Sequence, residues 1–207
     1  MIEKASLFVI ASPSGGGKSS LIKAILEQLD NIEVSISHTT RERRAGEVDG
    51  EDYYFVDEEK FDQIKKNNSF IEHANVFGHQ YGTSREQIER RLSLGTDVLL
   101  DIDWQGARQI KTHFANVVSI FILPPSVETL KQRLLKRQRD DSDTIAFRME
   151  KAQHEIRHHD EFDYLIVNDN FDKALGEMLQ IIKAVRLKSS FQALKNQTLL
   201  SKLLMSQ

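Results

Sequence analysis

One glycine-rich stretch carries the clearest chemistry in this sequence. Residues 11–20 run Ala11, Ser12, Pro13, Ser14, Gly15, Gly16, Gly17, Lys18, Ser19, Ser20. Consecutive glycines let the backbone curl until several N–H groups aim at one anion. Lys18 brings a flexible cation to the same point, and the Ser19 hydroxyl is a hard oxygen of the kind that Mg²⁺ accepts. The stretch therefore reads as a phosphate-binding turn. Lys18 would reach the outer phosphates of the ligand, and Ser19 would ligate the metal. The usual spacing of such turns is G-x-x-x-x-G-K-[ST]. Its first glycine falls on Ser12 here, while Ser14 through Ser19 keeps the pattern.

A phosphate turn works only where a strand delivers it and a helix leaves it. Residues 6–11 form an apolar run that reads as a buried strand, and residues 18–29 carry apolar side chains at helical spacing. The helix would add its positive N-terminal end to the site. Further apolar runs at 97–103, 117–123 and 164–167 read as buried strands. The first ends in the carboxylates Asp101 and Asp103, as a Walker B strand does. Helices are expected at about 105–112, at 126–136 behind a Ser126 cap, at 144–159 and at 172–188. Buried strands alternating with helices predict an α/β fold: a three-layer sandwich with a parallel central sheet.

Residues 37–84 break that alternation. Short strands are expected at 34–37, 53–56 and 70–76, with a helix from Asp57 to about Lys66. Ser84 and Gln87 form a capping box that opens a helix to about Leu94. We read 37–84 as an inserted subdomain of antiparallel character and 126–157 as a second, mobile helical insertion. The core would then be 1–36, 85–125 and 158–207 of a single domain. Residues 189–207 are weakly amphipathic.

The whole chain bounds the possibilities. It has 207 residues, enough for one α/β domain with insertions. A net charge of −3 argues against general nucleic-acid binding. With no cysteine, disulfides and thiolate zinc sites are excluded, and a cytoplasmic home is expected. No secretory leader and no run of about 20 apolar residues stands out, so no membrane association is expected. The sequence sets no oligomeric state.

Residues 37–55 (SHTTRERRAGEVDGEDYYF) resemble the monophosphate-binding segment of the guanylate kinase family. The resemblance extends to 70–72 (FIE), 81–83 (YGT), 100–106 (LDIDWQG), 120–125 (IFILPP) and 164–168 (YLIVN), and covers about residues 5–188. It implies the reaction ATP + GMP → ADP + GDP with Mg²⁺. By resemblance, Arg41, Arg44, Tyr53 and Tyr81 hold the GMP phosphate. The chemistry agrees, because guanidinium forks match phosphate oxygens with paired hydrogen bonds. Glu72 is by resemblance the carboxylate that accepts the two adjacent guanine donors. Adenine lacks that donor pair and would leave a buried carboxylate unsatisfied. Ser37 and Thr83 are expected beside it. Asp101 is implied in the GMP and metal region, and Asp103 either shares that work or caps the next helix.

The resemblance also makes Arg133, Arg137 and Arg148 lid arginines that neutralise charge on the transferring phosphoryl group and ATP. A glycine commonly follows the position of Arg137, where this chain has Gln138. Asn168 would border the adenine. Lys18, Arg41, Arg137 and Arg148 are thus the candidate catalytic groups. A competing pattern, His154-Glu155-x-x-His158, fits the H-E-x-x-H spacing of zinc sites. Its surroundings are polar and no glycine-spaced third histidine follows, so these residues read as a solvated face. Two functional alternatives remain: an enzyme acting on dGMP or another monophosphate, and a guanylate-kinase-like scaffold domain that binds phosphopeptides without catalysis. The intact Lys18 and Ser19 weigh against the second.

Overall fold

The computed structural model describes residues 5–76, 78–136 and 142–205. In chain order the elements are β1 (Leu7–Ala11), α1 (Lys18–Gln28), β2 (Ile32–Val34), β3 (His38–Thr39), β4 (Tyr54–Phe55), α2 (Glu58–Lys66), β5 (Phe70–Val76), β6 (His79–Ser84) and α3 (Arg85–Leu94). There follow β7 (Asp97–Asp101), α4 (Trp104–His113), β8 (Val118–Leu123), α5 (Val127–Lys136), α6 (Ser142–Ile156), a 3-10 turn (His159–Glu161), β9 (Tyr164–Val167), α7 (Phe171–Arg186), α8 (Ser189–Lys195) and α9 (Gln197–Leu204).

Five strands form a parallel sheet in the order β2-β7-β1-β8-β9. β1 is central and alternates its side chains between two cores. Phe8 and Ile10 pack with Leu21 and Ile25 of α1 and Met178 and Ile182 of α7. Leu7, Val9 and Ala11 pack with Ile88 of α3, Ile110 of α4 and Phe121. Both faces are covered, so the strand is continuously apolar and the fold is the expected three-layer sandwich. β1 pairs with β7 so that Ile10 stands opposite Asp101, which brings the turn after β1 and the carboxylate end of β7 to the same edge. That edge, where the connections from β1 and β7 diverge, is where open α/β sheets bind ligands.

A second sheet, β4-β3-β6-β5, lies within residues 38–84. Its hairpin β5–β6 is antiparallel, but β3 and β4 pair in parallel, so it is mixed rather than antiparallel throughout. Caps form where the sequence placed them: Asp57 accepts from Lys60 N–H and Ser84 from Gln87 N–H.

β3 and β6 are strands that the reading of the sequence leaves out, and two further strands differ from it. The strand expected at 34–37 is Ile32–Val34, because its pairing with β7 starts at Ile32 opposite Asp97. The run 164–167 is a strand but is not buried. β9 is the sheet edge, and Tyr164, Leu165 and Val167 are each more than two-fifths exposed, leaving Ile166 alone in the core. Among the described residues, no helix is long and apolar enough to cross a membrane.

The far end of the sheet is fastened by Asp97. Its carboxylate accepts from Ser6 N–H at 2.7 Å and from Arg186 Nε at 2.7 Å, while Arg186 Nη2 donates to Asp30 O at 2.8 Å. Replacing Asp97 by alanine strands the buried Ser6 N–H and leaves the half-buried Arg186 without its carboxylate. Urea unfolding should show a loss of about 3 kcal/mol.

Candidate active site

The phosphate turn is built as its glycines suggest. Gly15 and Gly17 have φ of 88° and 95°, the left-handed region that side chains avoid. Gly16 N–H closes a turn onto Pro13 O at 2.8 Å. A Cβ on Gly17 would sit 2.3 Å from Asn168 Nδ2, which donates to Gly16 O at 2.9 Å. Asn168 therefore braces the turn from the end of β9. Ser12, where the usual pattern has glycine, is not a positive-φ residue, so the backbone does not require glycine there. The space goes the other way: a Cβ on Gly16 would fall 2.9 Å from Ser12 Cβ.

Lys18 begins α1 and reaches across to β7. Its Nζ meets Asp101 Oδ1 at 2.5 Å and Ile102 O at 3.3 Å. Ser19 and Ser20 stand exposed beside it at the helix start. A serine hydroxyl and a carboxylate are hard oxygens, a donor set that fits Mg²⁺ and not a thiophilic metal. Asp103 caps α4, its Oδ1 accepting from Gly106 N–H at 3.0 Å. The cap is one of the two roles left open for it.

From the second sheet comes a basic and phenolic group. Arg41 is buried, donating to Glu42 O at 2.7 Å and to Glu47 Oε1 at 2.8 Å, with its guanidinium 5.3 Å from the Tyr53 ring centroid. Tyr53 and Tyr81 meet edge to face at 5.8 Å. Burial and then the Asp101 charge raise the Tyr53 hydroxyl's pKa, keeping it a proton donor. Arg44 is exposed, and its backbone N–H is held by Glu47 Oε2 at 2.8 Å. Glu47 thus orders the Arg41–Arg44 loop. Burial alone would raise its carboxyl pKa, but the Arg41 hydrogen bond and the Arg44 N–H outweigh burial and hold it below the ordinary range.

Glu72 forms the second group. It is 3% exposed, and its Oε1 accepts the Thr83 hydroxyl at 2.5 Å. Ser37 Oγ lies 3.4 Å from Thr83 Oγ1, so the three make one buried chain. Burial pushes the Glu72 carboxyl up to about 7; the Thr83 hydroxyl opposes this and the Asp103 charge adds to it. A cleft of about 190 Å³ opens nearby between Asn75, Asp103, Trp104, Lys151, His154 and Glu155.

α5 and α6 complete the surroundings. Arg133 Nη2 donates to Asn168 O at 2.9 Å, and its buried Nη1 has no hydrogen-bond partner among the described residues. Arg148 lies on α6, and Arg137 falls outside the described residues. The H-E-x-x-H residues do not form a uniform solvated face. Glu155 Oε2 accepts Ser14 N–H of the phosphate turn at 3.1 Å, and His158 stacks on Trp104 at 3.6 Å while bonding Glu161. Glu47 has no role in the sequence reading, and Glu155 enters it only as part of the H-E-x-x-H pattern, not as a partner of the phosphate turn. Glu47 sits six residues after Arg41 in a loop of alternating charge, where any acidic residue looked equally exposed.

The chain matches the family model described as guanylate kinase over residues 4–185. The chain belongs to the guanylate kinase family. It is 54% identical to the guanylate kinase of Legionella pneumophila (strain Paris) over 98% of this chain and 97% of that protein. It is 51% identical to the guanylate kinase of Escherichia coli (strain K12) over 97% and 98%. The crystal structure of guanylate kinase from Anaplasma phagocytophilum superposes with a TM-score of 0.74 at 37% identity, over 92% of this chain and 90% of that one. The guanylate kinase fold is thus matched across the parallel sheet and the inserted sheet together.

The raised Glu72 value has a consequence for stability. The folded chain holds this proton more tightly than the unfolded chain, so folding stability falls as pH rises from about 4.5 to about 7. Glu72→Gln removes that penalty. In the absence of nucleotide it should stabilise the protein at pH 8 by on the order of 2–3 kcal/mol, and by little at pH 4. Urea titrations at the two pH values measure the difference.

Proposed function

We propose that this chain transfers the terminal phosphoryl group of ATP to GMP, giving ADP and GDP. The observation that carries the reading is the pairing, at one sheet edge, of a phosphate turn bearing Lys18 with a buried Glu72–Thr83–Ser37 chain suited to guanine. An oxygen of the GMP phosphate attacks the γ-phosphorus, the bond to the β–γ bridging oxygen breaks, and ADP leaves with that oxygen's electrons. Such a transfer needs positioning and charge neutralisation rather than a covalent intermediate.

In this reading Ala11 through Ser20 cradle the ATP phosphates, and Lys18 exchanges Asp101 for phosphate oxygens. Arg41, Arg44, Tyr53 and Tyr81 grip the GMP phosphate. Glu72 accepts the guanine N1–H and N2–H₂ donors, with Thr83 and Ser37 beside it. Ser19 and Asp101 would hold Mg²⁺, directly or through water. Bound there, Mg²⁺ would supply neutralisation of the phosphate charge. Arg133, one of whose guanidinium nitrogens has no hydrogen-bond partner among the described residues, would turn it to phosphate, and Asn168 fixes the turn that borders the nucleotide. Arg137 and Arg148 belong to the lid, residues 126–157, which with the GMP-binding insertion, residues 37–84, closes over both substrates and excludes water. dGMP is a second acceptor on this reading, since no residue in it depends on the 2′-hydroxyl. The partners are small nucleotides, with neither nucleic acid nor membrane, and the setting is cytoplasmic. The non-catalytic phosphopeptide-binding alternative is not favoured, because full-length similarity runs to enzymes.

ADP formation with ATP and Mg²⁺, measured against GMP, dGMP, AMP, CMP and UMP, tests the assignment. Turnover of the guanine nucleotides alone is expected. Lys18→Ala should lower kcat by about a hundredfold or more, and Glu72→Ala should erode base choice. A folded, ATP-binding protein that phosphorylates no monophosphate would falsify it.

A further inference from the structure

A helix of the core, outside the inserted sheet, fixes the residue that reads the base. Asp103, Gly106 and Gln109 follow one another at intervals of three at the start of α4, so they share one face. That face lies against β5, the strand that carries Glu72. β5 is the edge of its sheet, and its register shifts between Phe70 and Glu72, which re-aims the Glu72 side chain. Edge strands leave backbone groups unpaired. Gln109 satisfies those of the very next residue: its Oε1 accepts His73 N–H at 3.1 Å and its Nε2 donates to His73 O at 2.8 Å. One amide side chain thus replaces the missing neighbour strand beside Glu72.

Gly106 is harder to explain by backbone needs. Its φ is not positive, so alanine could adopt it. Glycine within a helix costs about 1 kcal/mol relative to alanine. Its reason lies across the interface. A Cβ on Gly106 would stand 2.6 Å from Glu72 Oε2 and 3.1 Å from Glu72 Cδ. The opposite oxygen, Oε1, is already fixed by Thr83, so the carboxylate is held between a hydroxyl and a bare backbone.

We propose that Gly106 and Gln109 are positioning residues for base choice: Gly106 leaves the slot that seats the Glu72 carboxylate, and Gln109 locks the strand on which Glu72 stands. The proposal rests on the reading of Glu72 as the guanine acceptor. Neither residue touches the base. Both act by holding one oxygen pair where the two guanine donors arrive. Any added side chain at position 106 turns the carboxylate, and the donor pair then finds one acceptor instead of two.

Steady-state kinetics of the full chain with GMP, IMP and AMP test this, because IMP keeps N1–H and lacks the 2-amino group. Gly106→Ala should raise KM for GMP by about tenfold and shrink the GMP-over-IMP preference similarly. KM for ATP should stay within about twofold, since the phosphate turn is untouched. Glu72→Asp, shorter by one methylene, should recover part of the GMP affinity when added to Gly106→Ala, although alone it weakens binding. Gln109→Leu should raise KM for GMP with little change in kcat. The proposal is overturned if folded Gly106→Ala and Gln109→Leu keep the wild-type GMP KM and the GMP/IMP ratio. It is equally overturned if ATP and GMP affinities fall together without rescue by Glu72→Asp, which marks a merely structural glycine. A wild-type enzyme indifferent between GMP and IMP sinks the Glu72 reading itself, and this proposal with it.

Discussion

Dense negative charge has to be held at the carboxyl edge of β1, and most of the molecule answers to that constraint. β1 is buried on both faces, so its chain can leave the sheet only at that edge, and the turn it makes there has little of its own to hold it. Neighbouring elements supply the stiffness. Asn168, at the end of β9, holds Gly16 O. Leu130 and Leu134 of α5 lie within about 3.5 Å of where a Gly15 side chain would begin. Glu155 of α6 takes Ser14 N–H. Without phosphate, the positive end of the site is balanced by Asp101 on Lys18 and by Glu155 on the turn. Burial raises the Glu155 pKa while Ser14 N–H and Lys18 oppose it, so that carboxylate is only partly compensated. These same groups would meet an incoming triphosphate.

Glu72 poses the opposite problem. A buried carboxylate with one hydroxyl donor is an expensive arrangement, and its raised pKa records the cost. Such a site would discriminate, because a ligand that fails to supply donors leaves the expense in place. On the proposed reading, the stability lost in the empty protein and the selectivity gained with a ligand would have a common origin in one desolvated oxygen pair.

Much of this was legible in the chain itself. The phosphate turn, the strand before it and the helix after it depend on local pattern, and all three stand where pattern placed them. The caps at Asp57 and Ser84 are equally local. What pattern missed depends on neighbours. The run 164–167 reads as buried because its residues are apolar, yet β9 closes the sheet and three of its four side chains stay more than two-fifths exposed. Glu47 and Glu155 look like solvent-exposed acids in sequence, and only the fold brings Arg41 to one and Ser14 N–H to the other. Asp103 has two plausible roles at the end of an apolar strand, and the helix cap is visible only once the start of α4 is known. The H-E-x-x-H spacing is satisfied in sequence but not in use: its members turn to a backbone amide and to an indole ring.

Asp101 and Asp103, two residues apart, divide the site between them. Asp101 binds Lys18 and bears on Tyr53; Asp103 starts α4 and bears on Glu72. The end of β7 therefore bears on both the phosphate turn and the buried Glu72. In the inserted sheet, β5 is bonded to α4 through Gln109, while β3 and β4, with Arg41 and Tyr53 just beyond them, lie across β6 toward the opposite edge. Glu72 and the Arg41–Tyr53 pair thus stand toward opposite edges of one sheet, so the Gln109 contact bears directly on the first and reaches the second only through β6.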